Sequence, residues 1–131
     1  MNQTLNYVTY QTFPASTANS LQSISNIKYF IKKGINVCLY FPLREKTSSD
    51  DLKVLQEYYS FNENLEIKGI NHYLPHGRIQ IFKKTMFHIS HFLWSRRTIL
   101  KYFKKNNEDI FFTRSDWIAF FAARKKYKVI F

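Results

Sequence analysis

The first loop able to do chemistry is defined by what it lacks. Gln11 to Ser20 reads Gln-Thr-Phe-Pro-Ala-Ser-Thr-Ala-Asn-Ser and contains no GxGxxG. Without glycines, a backbone cradle for a dinucleotide is disfavoured, so neither NAD nor FAD is expected and no cofactor is assigned. A helix beginning after this loop still points free N–H groups outward, which suits a phosphate or a sugar hydroxyl near Ser16. Ser16 or Thr17 serves equally well as the helix N-cap. Arg114 and Asp116 stand together at the start of a later helix. Helix capping and the macrodipole favour a carboxylate there, with Arg114 as its salt-bridge partner. His88 and His91 are spaced i, i+3 and can share a helical face. No acidic or cysteine partner lies near them in sequence, so no metal site is expected. His72 and His76 flank Pro75 in a loop expected to face solvent. Cys38, the single cysteine, lies inside an apolar run and reads as a buried small hydrophobe.

These residues need elements to hold them, and the elements alternate. Asn6 to Tyr10 suits a strand, and Gln11 to Ser16, with Pro14, a loop. Leu21, Ile24, Ile27 and Ile31 fall on one helical face, and Gly34 follows as a C-cap. Ile35 to Phe41 is a near-continuous apolar run, as expected of a strand covered on both faces, and Pro42 is expected to end it. Ser48 with Asp51 resembles a capping box before a helix carrying Leu52, Leu55 and Tyr59. Leu65 to Gly69 is a weak strand, and Asn71 to Gly77 a loop. A basic helical region spans about Arg78 to Lys105. Asp109 to Thr113 is a strand, Asp116 to Lys126 a helix and Lys128 to Phe131 a further strand. Such alternation predicts an α/β fold, a Rossmann-like doubly wound parallel sheet in a single domain over residues 1–131. In strand order 3-2-1-4-5 the switch point lies between the first and fourth strands. The loops Gln11 to Asn19 and Thr113 to Trp117 should then face one crevice.

Composition narrows the partners. The chain has 131 residues, 45% of them apolar, and three glycines and three prolines, which is enough for a core and too hydrophobic for a disordered tail. No stretch reads as a membrane span and no signal peptide is visible, so a cytoplasmic location is the default. Twenty Lys and Arg against nine Asp and Glu give a net charge of +11. That favours polyanions: nucleic acid, anionic lipid or phosphate-bearing substrates. Phe82 to Lys105 mixes aromatic and basic residues. It reads as a core helix with a solvated basic face or as a helix that rests on an anionic membrane surface. The second option would place the protein peripherally on the inner face of the membrane.

The order of these segments resembles a known pattern. Tyr7-Val8-Thr9-Tyr10, then Pro14-Ala15-Ser16, then Asn19-Ser20-Leu21-Gln22 looks like the opening of family 4-type glycosyltransferases with the GT-B fold. Gly34-Ile35-Asn36-Val37 fits that family's next strand. Asp109-Ile110-Phe111-Phe112-Thr113-Arg114 is similar to its "Asp-h-h-h-x-Arg" strand end, and Val129-Ile130-Phe131 matches the strand after it. The resemblance covers nearly the whole chain. Asn19 stands where the family often has His, which removes a titrating group.

The resemblance implies the N-terminal, acceptor-side domain of a glycosyltransferase, truncated or one half of a split enzyme. A nucleotide-sugar would be held only with a second domain or subunit, so this chain alone should not complete a transfer. It also implies a glycan or lipid-linked acceptor. Asn19 and Gln22 would bond sugar hydroxyls, Ser16 would lie at the same helix start, Arg114 would pair with a phosphate, and Asp116 would accept a hydroxyl proton. The surface beside the crevice, which faces the partner domain in such enzymes, should be apolar. A rival class is a non-catalytic basic Rossmann-like module for nucleic acid or another polyanion. Against it, no helix-turn-helix, zinc or RNA-recognition signature is present and the aromatics fall at core spacing.

Overall fold

The computed structural model describes residues 3–72, 83–103 and 109–131, with the backbone alone for 83–87. The elements are β1 (Thr4–Val8), α1 (Ala18–Lys32), β2 (Asn36–Leu43), α2 (Leu52–Tyr59), β3 (Glu66–Asn71), α3 (Lys83–Lys101), β4 (Ile110–Phe112), α4 (Asp116–Arg124) and β5 (Lys128–Ile130). The strands form one sheet in the order β3-β2-β1-β4-β5, and every neighbouring pair is parallel. This is the α/β, Rossmann-like doubly wound sheet expected from the alternation, with β1 central.

Alternation along the strands divides the core. Leu5 and Tyr7 of β1 join Val37, Leu39 and Phe41 of β2 under Ile24 and Ile27 of α1 and Leu55 of α2. The intervening residues Val8, Cys38, Tyr40 and Phe111 face the opposite side. There they meet Trp94 and Ile99 of α3 and Ile118 and Phe121 of α4. Both faces of β2 are therefore covered, which is why its sequence is a continuous apolar run.

Several boundaries differ from the sequence reading, each for a local reason. β2 runs through Pro42, which pairs in register with Ile70 of β3. Tyr40 O accepts Thr9 N on the β1 side, and Pro42 turns its missing N–H to that same side, so the β1–β2 ladder stops there while the pairing with β3 continues to Leu43. Asp51, not Ser48, caps α2: its carboxylate accepts Lys53 N at 3.0 Å, while Ser48 Oγ accepts Glu45 N in the preceding turn. α4 ends at Arg124 because Lys126 adopts φ 62°. In α1, Leu21 does not join the apolar stripe and is 47% exposed. Ser20 and Ser23 are buried instead, their hydroxyls donating to Thr12 O and Asn19 O, both at 2.9 Å. Residues 73–82 and 104–108, including His76 and parts of the expected loop and basic helix, lie outside the described residues. Among the described residues no helix is long and apolar enough to cross a membrane.

Candidate functional site

Three strand ends supply the site. β1 leads into a loop fixed on all sides. Phe13 is fully buried and packs edge-on against Phe41, with ring centroids 5.1 Å apart. The Tyr59 hydroxyl accepts Ala15 N and donates to Ala15 O, both at 2.7 Å. Ser49 N donates to Phe13 O, and the Phe13–Pro14 peptide is cis. Thr17 then caps α1, its side chain accepting Ser20 N. With the loop set in this way, the first turns of α1 stand at the carboxyl edge of the sheet and present Asn19 and Gln22.

The opposite wall comes from β4. Thr113 is buried; its N donates to Ile130 O, and its Oγ1 accepts Ser115 N at 3.0 Å. This tight turn ends at Ser115, the N-cap residue of α4, whose hydroxyl makes no capping bond. It pairs with His91 Nε2 of α3 at 2.6 Å. Arg114, on the same turn, donates from Nη1 to Gln22 Oε1 at 2.5 Å and so links the β4–α4 turn to α1. Past the end of β2, Arg44 donates from Nε to Thr12 Oγ1 at 3.0 Å, with its guanidinium 4.8 Å from the Tyr10 ring centroid.

Between these walls lies a cavity of about 390 Å³. Its lining includes Tyr10, Asn19, Gln22, Arg44, Arg114 and Ser115, and among the described residues no Asp or Glu contributes to it. The two loops expected to share a crevice do so. Of the site residues named from sequence, Asn19, Gln22 and Arg114 come together here. Ser16 is exposed in the loop before the Thr17 cap, and Asp116 is exposed in the first turn of α4; neither lines the cavity. Arg114 is bonded to Gln22 rather than to Asp116.

The inner side of the site is a polar and aromatic network. The Tyr10 hydroxyl lies 2.6 Å from His72 Nε2 and 2.9 Å from Ser90 Oγ, which is itself 2.7 Å from His72. His72 is thus half-buried in a closed triangle, not a solvent-facing loop residue as its neighbour Pro75 suggested. His91 stacks flat on Tyr10, with centroids 4.3 Å and planes 11° apart. Burial foremost, then the nearby Arg44 charge, pushes the imidazole from its ordinary 6.5 down to about 4, so it is neutral at neutral pH. His88 is exposed, and its charge adds a further downward push on His91. Among the described residues no group of three His, Cys, Asp or Glu is placed to hold a metal ion.

Sequence reading missed Tyr10 and Arg44. For Arg44 the signal was present: it follows the buried run of β2, at the sheet edge where ligands bind in doubly wound folds. Comparison with known protein families, curated proteins and solved structures gives no match to this chain.

Proposed function

We propose that this chain is the acceptor-side domain of a glycosyltransferase of the GT-B type, holding a glycan or lipid-linked acceptor while a second domain or subunit holds the nucleotide-sugar. The observation that carries the reading is the cavity at the switch point, where Asn19, Gln22 and Arg114 meet. The two side-chain amides each donate and accept, as a sugar hydroxyl requires on both counts. A pinned loop and a tight turn keep those groups in place, and fixed placement of an acceptor hydroxyl is what transfer to an anomeric carbon needs. Asp116, the carboxylate named from the resemblance, follows the wall residue Ser115 but does not line the cavity, so the proposal is limited to holding the acceptor.

The test is a titration of isotopically labelled protein, followed by NMR, with glycans, lipid-linked acceptor analogues and nucleotide-sugars. Acceptors should shift the side-chain amide signals of Asn19 and Gln22. Nucleotide-sugars should not bind this domain with micromolar affinity. Tight nucleotide-sugar binding, or acceptors that leave both amides unmoved, would overturn the reading. Binding of nucleic acid alone would replace it with the basic-module alternative.

A further inference from the structure

We infer that the α1-side face of β4 and β5 is a docking surface for an amphipathic helix of a partner protein, apolar along one stripe and acidic beside it. The inference is independent of the crevice, which shares no lining residue with this face.

The same two strands are covered on one face and open on the other. Phe111 and Val129 turn toward α4 and join its Ile118, Phe121 and Ala122 in one cluster. Side chains alternate along a strand, so Ile110, Phe112, Lys128 and Ile130 turn the other way. Register sets Ile110 beside Lys128 and Phe112 beside Ile130. α1 reaches only the inner margin of this face, where Phe30 packs edge-on against Phe112 with ring centroids 5.4 Å apart. Phe111 is 1% exposed, whereas Ile130 is 49% exposed. A groove of about 360 Å³ remains, and its lining includes Leu5, Phe30, Ile35, Ile110, Phe112 and Ile130. Among the described residues none that lines it is charged.

The covered face shows what fits the open one. There a single helix, α4, serves both strands through a stripe at i, i+3 and i+4. Two neighbouring strands span about 10 Å, which is about the width of one helix with its side chains. Charge then selects among occupants. Lys128 is exposed beside Ile110, and Lys33 is exposed on the α1 margin, one turn from Phe30. Asp109, the carboxylate next to Ile110, acts on the other side: its charge is felt by Cys38 and Tyr40, which belong to the α3–α4 cluster. A second copy docked face to face would bring these lysines against their own equivalents, on two chains of +11 each. A flat bilayer does not enter a recess beside a helix. A partner helix laid along α1 buries Phe112 and Ile130 under its stripe, and Asp or Glu on its flanks meets Lys33 and Lys128.

The experiment is a display selection on the whole chain. The library holds helical peptides with a fixed apolar stripe at i, i+3, i+4 and i+7 and random flanking positions. Selected peptides should carry Asp and Glu on the flanks and lack Lys and Arg. In NMR they should shift the signals of Phe112 and Ile130 and leave those of Asn19 and Gln22 in place. Ile130→Ser, which keeps the charge of the chain, should weaken their binding by about tenfold. Lys128→Glu should weaken acidic peptides by about fivefold and improve those with Lys on the flanks. Both positions are exposed, and the selection itself needs only the wild-type chain. Failure to enrich any peptide, or enrichment without a preference for acids, would overturn the proposal. An acid preference of equal strength in Ile130→Ser would assign the binding to the general charge of the chain and also overturn it. Sedimentation showing a dimer that Ile130→Ser dissolves would give the face to a second copy. Phosphatidylglycerol vesicles bound through Ile130 would give it to lipid.

Discussion

His91 joins three elements through one ring: it is carried by α3, stacked on Tyr10 after β1, and hydrogen-bonded to Ser115 at the head of α4. Its folded-state pKa, about 4, lies below the ordinary 6.5, so the unfolded chain takes up the proton first. Stability should be level above the ordinary value, fall as pH drops through that window, and stop falling below about 4. Partial solvent contact limits the loss to roughly 1–2 kcal/mol. Urea unfolding across this pH range should show that slope in the wild type and a flatter one in His91→Gln. An equal slope in both would remove His91 as the cause. Cys38 gives a second residue-scale test. Burial raises its thiol to about 11, so it stays protonated and enclosed. A thiol reagent at neutral pH should label it only at the rate of unfolding. Cys38 was legible in sequence as a small apolar residue within an apolar run. His91 was not, because helical spacing shows which face a histidine occupies and not which hydroxyl lies across from it.

At the scale of elements, α1 and α4 end in the same way with different residues. After α1, Gly34 takes φ 80°, Gly34 N donates to Ile31 O and Ile35 N to Phe30 O. After α4, Lys126 takes φ 62°, Lys126 N donates to Ala123 O and Tyr127 N to Ala122 O. Both are Schellman closures, and only glycine enters the left-handed region without steric cost. Gly34→Ala should destabilise the chain by about 1 kcal/mol and Lys126→Gly should stabilise it by a similar or smaller amount, since removing Lys also removes a cation from a helix C-terminus. Chemical denaturation of the two variants checks both signs. Gly34 could be read as a cap from sequence because glycine advertises the geometry. The end of α4 could not, and the expected helix ran two residues too far. The sheet was legible for a stronger reason: apolar runs of strand length separated by helical spacing leave few topologies, and the switch-point rule then locates the crevice. Which loop residues turn into it depends on contacts distant in sequence, such as Tyr59 with Ala15, that no local pattern records.

Across the whole molecule, the excess charge of +11 is unevenly backed by acids. α3 has no Asp or Glu from Lys83 to Lys101. Its exposed Ile89, Leu93 and Leu100 recur at heptad spacing with exposed Arg96 in the same row, and α4 adds exposed Trp117 and Phe120. Apolar side chains set among cations match an anionic lipid interface. Vesicles containing phosphatidylglycerol should bind the chain, pure phosphatidylcholine vesicles should not, and added salt should weaken the binding. Leu93→Ser and Arg96→Ser should each reduce it by about fivefold, the effect of about 1 kcal/mol. Equal binding to neutral vesicles would discard this face as a lipid contact.

The central position of β1 sets an order of events in time. One of its neighbours, β2, begins at Asn36, but the other, β4, spans Ile110–Phe112, and Leu5 reaches its partner Ile110 only across most of the chain. During synthesis the earliest strand therefore stays half-paired until nearly the last one has been made, and closure of that gap is the expected slow step of folding. A nascent chain arrested before residue 110 should be cut readily by protease within β1, and one extended beyond residue 131 by an unstructured tether should resist.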